Sequence, residues 1–475
     1  MFRLPLPAFR AAVTAALCAC GVAAQAPNTL NTTFRASLPL TSGNLVTDVT
    51  GFTFGTQKLA VVCRGTSGAE IVNATGTTLI SVAHLNPSPA TASIHDAVVD
   101  GNVLYLAQQG GSILRFDVTA PATPLVLSSF GGGTENLFLD GNILFAARGS
   151  SGGGGALEIW QLNGTAAPTL LQSYDPGASF LCRDVTVKDG RAYAFNQITT
   201  TNYSTEILDV SMPTTPPTWL GTVAGGGQSG CIYTPPGGFA RILVCCTPGS
   251  AGFVQTWDVT YFAAPVFLAQ FQTTTVTASR NVRMAGTRYA FVANYLDGLQ
   301  IVDLANPSEP TLAGFYDMFP SNIGLPATAG AYDVHPESEG RLYVTTTVTQ
   351  SGVSQGLHVV DFTPPAPYRL TMTPDGLGGL TIIQTGSTPG TPLFNVVSSL
   401  TLGPFGKGPI LGMGFDALAI FYAYTMPPFQ TTTDAGGGFF FQLPPGSLPG
   451  YSFDLRAVAY DVTSFQVSEL GRVTL

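Results

Sequence analysis

Short apolar runs, each closed by a polar residue and a turn, recur along most of the chain. Seven of them end at Asn73 (EIVNATG), Asp117 (ILRFDVT), Gln161 (LEIWQLN), Asp209 (EILDVS), Asp258 (QTWDVT), Asp303 (LQIVDLA) and Asp361 (LHVVDFT), with neighbours 44, 44, 48, 49, 45 and 58 residues apart. Upstream of each stands a second polar residue that heads another apolar run: Asp48, Asp96, Asn136, Asp184, Cys231, Asn281 and Asp333. Between the two lie a turn, such as Asp100-Gly101 or Asp140-Gly141, and a strand such as VLYLAQ or YAFVAN; after the second comes a Pro-rich turn and a final strand such as PTLAGFY. Asp-Gly corners between short apolar segments predict consecutive antiparallel strands, four to a unit.

Four strands at this period are one blade of a β-propeller, so the spacing predicts an all-β, seven-bladed ring over residues 27–367. TFRASLPL, residues 33–40, has the character of a blade's last strand yet precedes the first blade. It is expected to close the ring on the seventh. The repeated anchors Asp117, Asp209, Asp258, Asp303 and Asp361 read as corner residues whose carboxylates accept backbone N–H groups in Asx-turns. The alternative is that several of them converge on a Ca²⁺ ion in the channel, as in propellers similar to lactonases.

The unit resembles the LVIVD repeat of bacterial β-propellers, best in RNVRMAGTRYAFVANYLDGLQIVDLANPSEPTLAG from Arg280, where Gly298-Leu299-Gln300-Ile301-Val302-Asp303 nearly spells the family name. The resemblance extends over residues 41–367 and departs where Asn73 and Gln161 replace the anchor Asp. It implies a propeller scaffold in an exported or surface protein and implies no reaction.

Tyr368–Leu475 lacks the repeat. LTMTP, LTIIQTG, LFNVVSS, ALAIFYAY, GGFFFQL, SFDLRAVAYD and VSELGRVTL read as strands of an immunoglobulin-like β-sandwich, residues 368–475. This stretch is similar to a C-terminal domain of unknown role on many exported bacterial proteins. Thr363-Pro364-Pro365-Ala366-Pro367 reads as a stiff linker between separable domains. Residues 1–26, with Arg3 and Arg10 flanking a short apolar core and Ala24-Gln25-Ala26 at the end, read as a cleaved signal peptide. The core is too short to span a membrane, and no later segment qualifies. Export to the periplasm, the cell surface or the medium follows, and disulfides become permissible. Of the cysteines left after cleavage, Cys231 with Cys245 or Cys246 is the pair a hairpin would bring together; Cys63 and Cys182 read as buried small hydrophobes.

The net charge of −9, with 19 basic residues unclustered, excludes nucleic acid as a partner. Catalytic motifs are poor. Gly352-Val353-Ser354-Gln355-Gly356 matches a nucleophile elbow but lies between propeller strands. Gly403–Gly408 lacks the Ser or Thr a phosphate loop needs. His84, His95, His335 and His358 show no zinc spacing. The sequence therefore reads as an exported, non-catalytic binding protein without a required cofactor. A metal-dependent hydrolase or a structural envelope component are the alternatives. The expected ligand site is the ring of residues just before the inner-strand polar positions: Thr47, His95, Glu135, Arg183, Gly230, Arg280 and Tyr332. The arginines there suit a carboxylate or phosphate and Tyr332 offers a stacking face, so the partner is a small anionic ligand, a glycan or a protein.

Overall fold

Each Asp-Gly corner reverses the chain because glycine accepts the left-handed backbone the turn demands, as at Gly101 (φ +55°) and Gly141 (φ +59°). The resulting hairpins build four-stranded antiparallel sheets. The structure, a computed structural model, describes residues 29–40, 46–149, 156–175, 177, 181–199, 202–247, 252–272, 278–317, 330–347, 355–365, 368–401, 403–460 and 465–475. Residues 1–26, read above as a signal peptide, and Gly352–Ser354 lie outside these residues.

Seven sheets follow one another along the chain. Their first strands are Asp48–Phe54, Ser93–Asp100, Asn136–Asp140, Leu181–Lys188, Ser229–Tyr233, Asn281–Ala285 and Ala331–Ser338, here the inner strands of blades 1 to 7. Each inner strand contacts the next, and that of blade 7 contacts that of blade 1, which closes a ring around a central channel. The core lies between blades, where the faces of adjacent sheets meet. Val61 and Ile71 of blade 1 pack with Leu104 and Leu106 of blade 2, and Tyr193 and Phe195 of blade 4 with Leu243 and Cys245 of blade 5.

The ring is closed by the chain's beginning. Thr32–Pro39 pairs antiparallel with Gly356–Phe362 as the outermost strand of blade 7, in the register Thr33 to Asp361. Arg35 Nη1 lies 2.9 Å from Asp361 Oδ2 at this seam. A shorter piece ahead of it, Thr29–Leu30, adds a fifth strand to blade 6 against Thr311–Tyr316. The N-terminal segment thus spans two blades.

Beyond Tyr368 two sheets pack face to face. Arg369–Pro374, Leu380–Thr385 and Phe439–Leu443 form one; Pro392–Ser398 and Ser452–Tyr460, with short flanking strands, form the other. Leu370, Met372, Leu380 and Ile382 meet Leu455 and Val473 between them. One segment departs from the sequence reading: ALAIFYAY is an α-helix, Asp416–Ala423, and not a strand. A continuous apolar run does not reveal its period. Here alanine and leucine favour helix, and Asp416 in the first turn, bonded to Ser398 Oγ (2.5 Å) and Ser399 N (2.7 Å), fixes the start. Among the described residues no helix is long and apolar enough to cross a membrane.

The sandwich is not a separate bead. Val396, Phe405, Met413, Ala417, Val458 and Leu470 share one core with Tyr233, Val244 and Val254 of blade 5 and Val282, Ala290 and Val302 of blade 6. Arg288 donates to the Tyr368 carbonyl (2.9 Å), Leu470 N to Ala305 O (2.9 Å) and Arg472 N to Pro236 O (3.0 Å). The propeller and the sandwich on either side of the proline-rich segment are therefore packed together.

Candidate functional site: a polar mouth and an acidic waist in the channel

The inner edge of each inner strand has no neighbouring strand, so its amides need partners from elsewhere. The polar residues that head these strands supply them. Asp96 Oδ2 accepts the Leu137 N–H of the next blade at 2.5 Å while its other oxygen accepts its own neighbour Ala97 N–H at 2.8 Å. Asp333 Oδ2 accepts Val49 N–H across the seam between blades 7 and 1 at 2.9 Å, and Asp184 accepts Val185 N–H at 2.8 Å. In blades 2, 4 and 7 the recurrent polar residue is thus a staple for inward-facing amides, shared in two cases between blades.

These residues form a waist of high negative charge density. Asp48, Asp96, Asp184 and Asp333 are all buried. The carboxyls of Asp96 and Asp333 flank that of Asp48. Burial, then the charges of Asp96 and Asp333, hold the Asp48 carboxyl well above its usual range. Burial likewise pushes Asp96 up to about 7, against the pull of the Leu137 amide. One cation answers them: Arg283 reaches from blade 6 to Asp184 Oδ2 (3.4 Å) and Ser229 Oγ (3.2 Å).

Above the waist the mouth is lined by Thr47, His95, Glu135, Arg183, Gln228, Arg280 and Tyr332, around a cavity of about 40 Å³. Six of the seven positions expected from sequence meet there. Gly230 does not: a side chain there would strike the Phe195 ring at about 2.5 Å, and Gln228 holds the place. In blade 5 the staple position is Ser229, paired with Cys246 and bonded to Asn281, and not Cys231.

The mouth cations differ in their surroundings. Arg183 forms an ion pair with Glu135 and donates to Gln197 Oε1 at 2.7 Å. Arg280 lies over the Tyr332 ring, 4.8 Å from its centre. Among the described residues it makes no ion pair with a carboxylate. Burial lowers the His95 pKa, with Arg280 and Arg183 acting in the same sense against Glu135, so this imidazole is neutral at neutral pH.

The repeated anchors stand elsewhere, at the outer corners where third strands end. Asp117, Asp209, Asp258 and Asp303 each accept the N–H two residues on, at 2.8–3.0 Å, and Asn73 does the same. Asp361 instead bonds Arg35 and Arg341. They do not converge on the channel. Among the described residues no group of three or more His, Cys, Asp or Glu is arranged to hold a metal ion. The disulfide expectation is also corrected. Cys231 faces Val244 and Cys245 faces Gly230 across the hairpin, so Cys231 and Cys245 project to opposite faces of the sheet. They lie in different cores, and the five described cysteines are free thiols.

The ring of four-stranded sheets is a β-propeller scaffold. Residues 279–318, which carry Arg280, Asn281 and Arg283, match the LVIVD repeat. No curated protein matches the chain. Among solved structures the chain resembles the computationally designed Ika8 protein, at 8% identity over 70% of this chain and 99% of that one, with a TM-score of 0.44.

Proposed function

We propose that this is an exported, non-catalytic binding protein that seats the anionic group of a ligand at the mouth of its propeller channel. Arg280 carries the reading: it is a guanidinium without a carboxylate partner, held in place by Tyr332 and aimed at a polar cavity. The cavity has room for one carboxylate or phosphate group, with the rest of the ligand lying over the face of the ring. Arg183, neutralised by Glu135, orients the site more than it attracts. Export rests on the character of residues 1–26, and the compartment on the same ground is periplasm, cell surface or medium.

Titration calorimetry with citrate and with inorganic phosphate tests the site. A charge-assisted contact is worth about 1.5–3 kcal/mol, so Arg280→Glu should weaken binding roughly tenfold to a hundredfold or abolish it. Glu135→Gln should strengthen it severalfold by freeing Arg183. Binding of either anion that is indifferent to both substitutions would place the functional surface away from the mouth.

A further inference from the structure

Below the acidic waist the channel opens into a second chamber of about 530 Å³, far larger than the mouth above it. All seven inner strands contribute to its wall, and the wall is mixed: Phe52, Val98, Val99, Phe138, Leu139 and Ile232 line it beside Thr50, Thr186, Tyr233 and His335. Asp48, Asp96 and Asn136, which also line the mouth, form its ceiling together with Arg283, and Lys188, at the far end of its inner strand, marks the opposite rim. Arg283 keeps 28% of its side-chain surface uncovered although it lies inside the ring. A chamber of this volume, in which apolar side chains alternate with a limited set of hydrogen-bonding groups, matches the anatomy of small-molecule sites. The charge at the ceiling restricts the occupant. The Arg283 charge is already answered by Asp184, so no unpaired cation is left at the ceiling to compensate an ionised head buried there.

We propose that this lower chamber binds a second ligand, an uncharged amphipathic small molecule whose apolar body lies along the inner strands and whose carbonyl or hydroxyl oxygen accepts from Arg283. The proposal is independent of the anion site at the mouth. The probe is the neutral naphthyl ketone dye Prodan, which has a flat apolar body and one acceptor oxygen, titrated into the full-length protein with fluorescence detection. The expected result is saturable binding of one dye per chain with blue-shifted emission. Thr50 lines the chamber and belongs to none of the apolar cores, so Thr50→Trp fills the space without removing a core contact and should weaken binding at least tenfold. Lys188→Trp, at the rim, reads the same loss if the first variant does not fold. Arg283→Lys keeps the charge but not the planar fork and should weaken binding severalfold, whereas Arg280→Glu at the mouth should leave it unchanged. Absence of saturable binding, indifference to both tryptophans, or equal loss on Arg280→Glu would overturn the proposal. So would tighter binding of the anionic dye anilinonaphthalene sulfonate in the same chamber.

Discussion

Asp48 and Asp96 hold protons in the folded ring that they release in the unfolded chain, and this sets the direction of the protein's pH response. Their folded pKa values lie above the ordinary carboxylate value, so between about pH 4 and 7 these two groups bind more protons in the native state than in the unfolded one and make stability fall as pH rises. His95 and His335, whose values burial lowers, act in the opposite sense. The apparent melting temperature should therefore rise by several degrees when pH is lowered from 7.5 to 5. Asp48→Asn, which keeps a donor to the neighbouring carboxylates but cannot ionise, should flatten that slope and stabilise the ring at pH 7.5 by about 1–2 kcal/mol. A melting temperature that falls on acidification, or an unchanged slope in the variant, would contradict this account of the waist. The polar residues of the inner strands were legible in sequence because they recur at the same place in the repeat. That Asp48 lies between Asp96 and Asp333 was not, since it depends on which blades become neighbours when the ring closes. Blade 5 shows the limit at one residue: the apolar run points to Cys231, while strand pairing gives the position to Ser229.

At the scale of the element, turn chemistry carried most of the information. Asp-Gly corners and Asx anchors mark strand ends directly, so the four-strand unit could be read without knowing its contacts. The helix Asp416–Ala423 could not, because its pattern is apolar throughout and its start is fixed by Ser398 and Ser399 from a neighbouring strand. The closing strand was readable as an orphan with no blade of its own. Its pairing with Gly356–Phe362 gives blade 7 its outer edge, and the segment before it clasps blade 6. Deleting residues 31–40 should remove the outer strand of blade 7 and lower the melting temperature by on the order of 5–10 °C, measured by circular dichroism. An unchanged transition would mean that the seam bears little of the ring's stability.

At the scale of the whole molecule, the sandwich and the propeller are joined by a common apolar core under blades 5 and 6. The proline-rich segment suggests a division that the packing does not respect, because a linker's composition says nothing about what its two sides do to each other. Residues 27–367 expressed alone should expose Val282, Ala290, Val302 and Tyr233, and should be less soluble and lower-melting than the full chain. A fragment as soluble and as stable as the intact protein would show that the shared core is dispensable. The clasp at the ring seam has a different kind of consequence. Arg35 and Asp361, partners across that seam, are 326 residues apart in sequence. A chain made from its N-terminus therefore presents its first strands long before their partners exist. The ring is locked last, by the segment that emerged first, so the earliest strand must stay unpaired until more than three hundred further residues have followed it.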